Sequence, residues 1–494
     1  MQIPFNNRYV TLGEGFFDRI RPTPVTKPEL IKFNDALARE LGIATDQVAA
    51  SGAAVFAGNT VPEGAEPLAM AYAGHQFGHF VPQLGDGRAL LLGEIISPDG
   101  AGLDIHLKGS GRTRFSRNGD GRSALGPVLR EYLVSEAMHK LGVPTTRALA
   151  AVTTGEPVVR ERVLPGGVIT RVAASFVRVG TFEYFAARDD YAAVKQLADY
   201  VIAKNYPQLG GHQQPYVALL DAVVERQAEL IAQWMRIGFI HGVMNTDNMS
   251  IAGETIDYGP CAFMDAYDHD QVFSSIDRNG RYAYSNQPSI GLWNLTRLAE
   301  TLLPLFDEDP QAAVKIAQEV LERYAERYEA AWLAAMRGKC GLTACRGTES
   351  DADKGLIEDL LAVMADNRAD FTLTFYHLSR LADQPSEQDN DLRALFDNSA
   401  QIDTWLAEWR RRLSLEPQSD EARRETMQAV NPVYIPRNHQ IEAAIRAAED
   451  QGDFSVFHAL HAVLQDPYVQ QEGQEGYMQA PEPEEVVEYT FCGT

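Results

Sequence analysis

The sequence has no apolar run approaching the roughly 20 residues that a membrane-spanning helix needs, so no such helix is expected. Its first residues, MQIPFNNRYV, lack the basic-then-apolar order of a secretory leader, and none is expected here. Cysteine is scarce. Four in 494 residues exclude a fold held by a disulfide framework. Positive charge is in the minority, with 44 Lys and Arg against 68 Asp and Glu and a formal net charge of −24. That balance argues against a general nucleic-acid binder, which presents a basic face. A Gly-Lys-Ser/Thr phosphate loop of the Walker type is also missing. These absences leave a cytoplasmic enzyme, without nucleic-acid or membrane partners, as the expected class.

Hydrophobic residues make up 45% of the chain, enough for a large core. The length fits roughly two to four domain-sized units or one large two-lobed enzyme. After a Pro-rich lead-in from Arg21 to Pro28, the pattern predicts a helix from about Lys27 to Leu41, stopped by Gly42. The cluster YAGHQFGHF places His75 and His79 four residues apart, but the glycines between them disfavour a helix. A packing role is therefore expected for both, not a metal pair on one helix face. Gly85-Asp86-Gly87-Arg88 reads as a tight turn, Ala89 to Ile96 as a strand, Pro98-Asp99-Gly100 as a turn and Leu103 to Lys108 as the returning strand. Alternation along that strand sets Lys108 on the face opposite Ile105 and Leu107.

Residues 108–126, KGSGRTRFSRNGDGRSALG, form a basic island in an acidic chain. Arg112, Arg114, Arg117 and Arg122 are interleaved with Gly109, Gly111, Gly119 and Gly121. Glycines let backbone N–H groups approach an anion, and guanidinium forks fit phosphate oxygens. A solvated basic loop is the plainer alternative. Pro127 to Leu141 is a marked helix with Leu129, Leu133, Ala137 and Leu141 along one stripe. A Lys on a strand followed by a Glu on the next helix is the ion pair that fixes a kinase's phosphate lysine, and Lys108–Glu131 fits it. Glu131 also fits as a simple first-turn acid, and Glu136 is a second candidate. Val158 to Val179 reads as strands, with Arg171 and Arg178 in apolar surroundings. Arginine is rarely buried unpaired, so anion ligands and salt bridges are both open for them.

Residues 190–240 read as helical, most clearly Tyr216 to Gly238, and bring the chain to His241. Further helices are expected at Trp293–Leu305, Pro310–Arg337, Leu356–Leu381, Asp391–Phe396 and Asp403–Leu413, without a motif. Cys340 and Cys345 lack the spacing and the two further ligands of a zinc site. The acidic stretch from Gln470 to Thr494 reads as flexible, with Cys492 exposed to redox chemistry.

The most informative stretch is His241 to Gly259, HGVMNTDNMSIAGETIDYG. It resembles the H-G-D-x-x-x-x-N then I-D pattern of aminoglycoside-phosphotransferase-type kinases. In that pattern the first Asp is the base, and the Asn and last Asp hold Mg²⁺. His241 and Gly242 match, as do Asn248, Ile256 and Asp257, but the base position is Val243. An apolar side chain accepts no proton, and loss of a positioned base costs ~10²–10⁴-fold in rate. Asp247 lies beside Asn248 as a second acid. Ser250 to Ile256 reads as a hairpin about Gly253, with Asn248 and Asp257 at its two ends, where two oxygens suit a hard cation. Asn and Asp beside Gly are also ordinary turn residues. The stretch thus belongs either to an inactive kinase or to an enzyme doing other chemistry on the same nucleotide.

The stretches YAGHQFG, QLGDGRALLLGE, GSGRTRFSRNGDGRSALGPVLREYLVSEAMHKLGVPTTRALA and HGVMNTDNMSI…IDYGP resemble the selenoprotein O family, and the likeness runs over nearly the whole chain. The resemblance implies an α+β, protein-kinase-like two-lobed fold. Residues 1–80 would be an N-terminal extension, 81–185 a strand-rich small lobe, 186–470 a helical large lobe with its extension, and 471–494 an acidic flexible tail. It implies ATP bound in inverted orientation and transfer of AMP to Ser, Thr or Tyr hydroxyls of proteins, with UMP from UTP a further activity. Gly85, Gly87, Arg88, Lys108, Asp120, Gly121, Glu131, Arg171, Arg178 and Asp257 are then nucleotide residues. Asn248 and Asp257 hold Mg²⁺ or Mn²⁺, and Asp247 is the proton acceptor. Family members pair a C-terminal Cys or selenocysteine with a Cys after the metal Asp. Here that implies Cys261 and Cys492, although Gly-Thr follows Cys492. A phosphotransferase using Asp247, and a nucleotide-binding scaffold without catalysis, are the two alternatives.

Overall fold

The structure, a computed structural model, describes residues 2–343 and 348–490. Its strands are β1 (Phe17–Arg19), β2 (Glu29–Phe33), β3 (Leu68–Met70), β4 (Gly74–Gln76), β5 (His79–Val81), β6 (Ala89–Ile96), β7 (Gly102–Lys108), β8 (Ser123–Ala124), β9 (Arg147–Val159), β10 (Val163–Ala173), β11 (Phe239–Ile240) and β12 (Ala262–Phe263). The main sheet runs β1-β3-β6-β7-β10-β9-β2, with β8 against β10. Three of these strands come from residues 1–80. The β6–β7 pairing sets Ala89 opposite Lys108, and β10 sets Ile169 opposite Lys108 and Arg171 opposite His106, all antiparallel. Because side chains alternate along β7, Ile105 and Leu107 enter a core with Phe56, Leu149, Val152 and Val172. Asp104, His106 and Lys108 share the other face.

The helices are α1 (Asp35–Glu40), α2 (Ala53–Phe56), α3 (Leu125–Lys140), α4 (Val179–Ala186), α5 (Tyr191–Asn205), α6 (Pro215–Arg236), α7 (Gln287–Phe306), α8 (Pro310–Leu321), α9 (Arg323–Cys340), α10 (Thr348–Asn367), α11 (Phe371–Leu378), α12 (Asp389–Arg393), α13 (Ser399–Leu413), α14 (Asp420–Gln428), α15 (Asn438–Gln451) and α16 (Ser455–Val463). The architecture is therefore a mixed α/β chain with one strand-rich sheet and many helices. Leu129, Leu133 and Ala137 of α3 meet Ala148, Ala151 and Ile169 of the sheet in one core. A second core joins α4–α8 to the face of the first strands. Among the described residues, no helix is long and apolar enough to cross a membrane.

Several expected boundaries differ. The helix expected at Lys27–Leu41 begins only at Asp35, where the Asn34 side chain accepts from the Leu37 N–H and caps it. The residues before it pair with β9 as an edge strand. The expected strand block at 158–179 is a long hairpin beginning at Arg147, and Arg178 lies outside it, at the start of α4. The helix expected at Leu356–Leu381 breaks because Asp370 caps a new one through the Leu373 N–H at 2.7 Å. The expected Pro310–Arg337 helix is two helices that meet at Glu322. Helices α14 to α16 were not expected. Polar α14 buries only Arg423 and Met427, too little to show as periodicity. The stretch read as a flexible tail has described contacts: the Met478 carbonyl accepts from Arg437, and Thr490 donates to the Pro260 carbonyl at 2.6 Å. Cys345 and Cys492 lie outside the described residues.

Candidate functional site

The short strands β11 and β12 pair antiparallel, Phe239 opposite Phe263, and so close the loop that carries His241, Asp247, Asn248 and Asp257. The His241 ring ties its two ends together. Nε2–H donates to the Ile256 carbonyl at 2.9 Å and Nδ1 accepts from the Val243 N–H at 3.3 Å, an arrangement that needs the neutral ring. Burial lowers the pKa of His241 and keeps it so. Met249 and Thr255 bridge as a small hairpin around Gly253. Asp257 has φ of 60°, a left-handed conformation that Asp tolerates better than most side chains.

Asp257 is the centre of a buried charge cluster. Its Oδ1 accepts from Arg171 Nη1 at 2.6 Å and from Lys108 Nζ at 3.2 Å, and its Oδ2 accepts from Arg178 Nη1 at 3.1 Å. Glu131 stands behind. Its Oε2 accepts from Lys108 at 2.7 Å and its Oε1 from Arg171 at 3.0 Å. Burial alone would raise the Asp257 pKa, but Arg171, Lys108 and Arg178 outweigh it and hold the carboxyl well below the usual range. Arg171 also donates to His106 Nδ1 at 3.0 Å, and His106 Nε2 meets Asp86 Oδ2 at 3.1 Å. Burial lowers the pKa of His106. Strand register explains this: Arg171 lies opposite His106, two residues from Lys108 on the same face.

Asp247 lies one contact away. Arg178 Nη1, which holds Asp257, also donates to the Asp247 carbonyl at 2.9 Å. The Asp247 carboxyl is buried, and burial pushes its pKa to about 6, against the Gln76 hydrogen bond and the charge of Arg178. Asn248 Nδ2 donates to the Val243 carbonyl at 3.0 Å. Val243 itself is apolar and buried. The structure thus brings Lys108, Glu131, Arg171, Arg178 and Asp257 into one network, with Asp247 joined to it through Arg178.

Four buried polar atoms have no hydrogen-bond partner among the described residues: Arg171 Nε, Arg178 Nη2 and Asp247 Oδ1 in this network, and Arg88 Nη1, on the residue that precedes β6. Buried polar groups are paired in the great majority of cases. Three unanswered guanidinium donors are what a polyanion would satisfy. The donor types also suit a divalent cation, although both Asp257 oxygens here accept from Lys108, Arg171 and Arg178. Asp257 supplies a carboxylate and Asn248 an amide oxygen, and Mg²⁺ is commonly held by one or two protein oxygens with phosphates completing its shell. Among the described residues, no group of three His, Cys, Asp or Glu forms a self-sufficient metal cage.

Other expected site residues lie further out. Gly85 and Gly87 form the floor on which the basic loop rests: a Cβ at Gly85 would fall 2.3 Å from the Phe115 ring. Asp120 is exposed and pairs with Arg160 at 2.8 Å, and Gly121 is pressed against the Gly111 backbone. Arg122 holds the carbonyls of Thr23 and Pro24 at 3.0 and 3.1 Å, while Arg112, Arg114 and Arg117 are exposed. Glu136 binds Arg147 at 2.9 Å, so Glu131 is the partner of Lys108. Cys261 is buried. His79 is exposed, contrary to the packing role expected of it, and His75 bonds to Glu183. A cavity of about 460 Å³ between Lys27, Thr153 and Pro165 is lined by none of the clustered residues. Sequence reasoning missed Asp86, His106 and Gln76. His106 was detectable, since it alternates in phase with Lys108.

A sequence model of the family described as protein adenylyltransferase SelO matches residues 1–465. Proteins named protein nucleotidyltransferase YdiU are similar over the full length. That of Rhizobium johnstonii is 59% identical over 99% of this chain and 97% of its own. That of Rhodopseudomonas palustris strain BisB5 is 59% identical over all of both chains, and that of Rhizobium meliloti is 57% identical over 99% of each.

Proposed function

The chain belongs to the SelO family and is a protein nucleotidyltransferase, and from that premise we propose that it transfers AMP from ATP to Ser, Thr or Tyr hydroxyls of proteins in a kinase-like cleft. Residues 81–185 are read as the small lobe and 186–470 as the large one, with 1–80 and 471–494 as extensions. The observation that carries this reading is Val243 at the ordinary base position, beside an intact acid at Asp247 and a cluster of cations with unanswered N–H donors. A γ-phosphate kinase of the ordinary pattern carries its base at residue 243. An enzyme that attacks the α-phosphorus places the reacting centre elsewhere along the loop.

In the proposed step the acceptor hydroxyl oxygen forms a bond to the α-phosphorus. Its proton passes to Asp247, the bond from the α-phosphorus to the bridging oxygen breaks, and pyrophosphate leaves with the electron pair. A pKa near 6 leaves Asp247 mostly ionised at neutral pH and still basic enough to share a proton. Lys108, Arg171 and Arg178, with Arg88, bind the charge on the leaving phosphates in a site of low dielectric. Glu131 keeps Lys108 and Arg171 in place. Asn248 and Asp257 would hold Mg²⁺ or Mn²⁺, which neutralises phosphate charge when bound. Gly85, Gly87, Asp120 and Gly121 shape the surrounding loop. The test is transfer of label from α-labelled ATP to protein in the Asp247→Ala variant, alongside nucleotide binding. Loss of transfer with binding intact is expected. Loss of both in equal measure would make Asp247 a structural or metal residue.

A further inference from the structure

The β4–β5 hairpin, which carries the YAGHQFGHF cluster, has no role in the step above, yet it is fastened directly onto the loop that bears Asp247. The His75 N–H donates to Thr246 Oγ1 at 2.7 Å, Gln76 Nε2 to Asp247 Oδ2 at 3.3 Å, and the Phe77 N–H to Asn245 Oδ1 at 3.0 Å. Three consecutive hairpin residues therefore hold three consecutive loop residues, across about 170 positions of sequence. Glu183 of α4 reinforces the junction, bonding both the His75 ring and the Thr246 hydroxyl.

The hairpin turn is strained in a way that serves this contact. Phe77 has φ of 50° and Gly78 φ of 84°, the two-residue turn with both angles positive that matches strand twist. Phenylalanine is disfavoured there, and such conformations persist only when the surroundings hold them. Here they do: the Phe77 ring lies 5.0 Å from the Tyr282 ring, and the Tyr282 hydroxyl donates to the same Asn245 oxygen at 2.6 Å.

The contact also shapes the space at the base. A Cβ on Gly74 would fall 2.4 Å from Asp247 Oδ1, so that oxygen has room only because residue 74 is glycine. Gln76 occupies Oδ2, and Oδ1 has no partner among the described residues.

We propose that this hairpin is part of the catalytic apparatus: Gln76 is a positioning residue that fixes the Asp247 carboxylate through Oδ2, and Gly74, lacking a Cβ, leaves the buried Oδ1 as the carboxylate oxygen without a protein partner among the described residues. The inference rests on the reading of Asp247 as proton acceptor. It assigns the hairpin to the chemical step and not to the binding of ATP.

The test uses the full chain, α-labelled ATP and a pool of peptides each bearing one Ser, Thr or Tyr. Gln76→Met keeps the side-chain volume and removes the donor. Its turnover should fall roughly ten- to a hundred-fold, as for a misplaced catalytic group, with the KM for ATP within about twofold of the wild type. Gly74→Ala should show the same split. Asp247→Asn is measured beside them and should be inactive. A Gln76→Met turnover close to that of the wild type, beside an inactive Asp247→Asn, overturns the inference and leaves the base assignment standing. An ATP affinity that falls in step with turnover in Gln76→Met makes the residue merely structural and also overturns it. Full activity in Asp247→Asn overturns both.

Discussion

Replacing Asp257 by Asn is the perturbation with the most to say about the cluster. The carboxylate answers Lys108, Arg171 and Arg178 at once. Glu131 still reaches Lys108 and Arg171 in the variant, but Arg178 loses its carboxylate partner and keeps backbone carbonyls and the face of the Tyr72 ring. Removing one partner of a buried ion pair costs about 3–5 kcal/mol, because the remaining charge stays buried. An unfolding entropy of ~2.1 cal/mol/K per residue corresponds to ~1 kcal/mol/K for a chain of this length, so the melting temperature should fall by about 3–5 °C. The variant should also respond to a metal-free polyanion. Pyrophosphate with a chelator present satisfies the freed guanidinium groups and should raise the melting temperature more in Asp257→Asn than in the wild type. Transfer should be abolished in the same protein. Differential scanning fluorimetry and the labelled-ATP assay read both effects. An unchanged melting temperature with transfer intact would refute the view that Asp257 is the counter-ion and metal residue at the centre of the site.

Glu131→Gln should weaken Lys108 and Arg171 as phosphate ligands, raising the KM for ATP several-fold with a smaller effect on the fold; an unchanged KM would return Glu131 to a first-turn acid. Glu254 carries a pH prediction. Burial, with Asp104 nearby, raises its pKa from 4.5 to about 7, so its contribution to stability is full below about 4.5 and is lost as the pH climbs to about 7. Glu254→Gln retains an acceptor for the Ala174 N–H and should be more stable than the wild type at pH 8, by up to about 3 kcal/mol. Denaturant titrations at pH 4 and pH 8 check that the gain disappears in acid; an equal gain at both would contradict the assignment. Asp247→Ala should keep nucleotide affinity while losing turnover, as calorimetry and labelling together would show.

The sequence made some of this visible because local rules were enough. Alternation along β7 put Lys108 on a polar face, helix periodicity put Glu131 in the first turns of α3, and the two stand 2.7 Å apart. Local rules failed where a distant partner decided the outcome. The stretch before Asn34 became a strand because β9 offered it an edge, which no propensity within residues 27–41 records. Gln76 is one polar residue in a glycine-rich stretch, and its meaning lies in Asp247, 171 residues away. The apolar pattern alone places Arg178 near the end of a strand. Its placement at the start of α4 lets one guanidinium hold both the Asp247 carbonyl and the Asp257 carboxylate. Asp120, assigned to the nucleotide from family likeness, stands exposed against Arg160, and nothing in its local sequence forecast that pairing.

The most direct measurement offers the protein ATP labelled either at the α or at the γ phosphate, with Mg²⁺ or Mn²⁺, and follows label onto protein. Label carried only from the α position is the predicted result, since Val243 removes the ordinary base for γ-phosphate transfer. Label carried from the γ position would make the protein a kinase that uses Asp247 and would contradict the account.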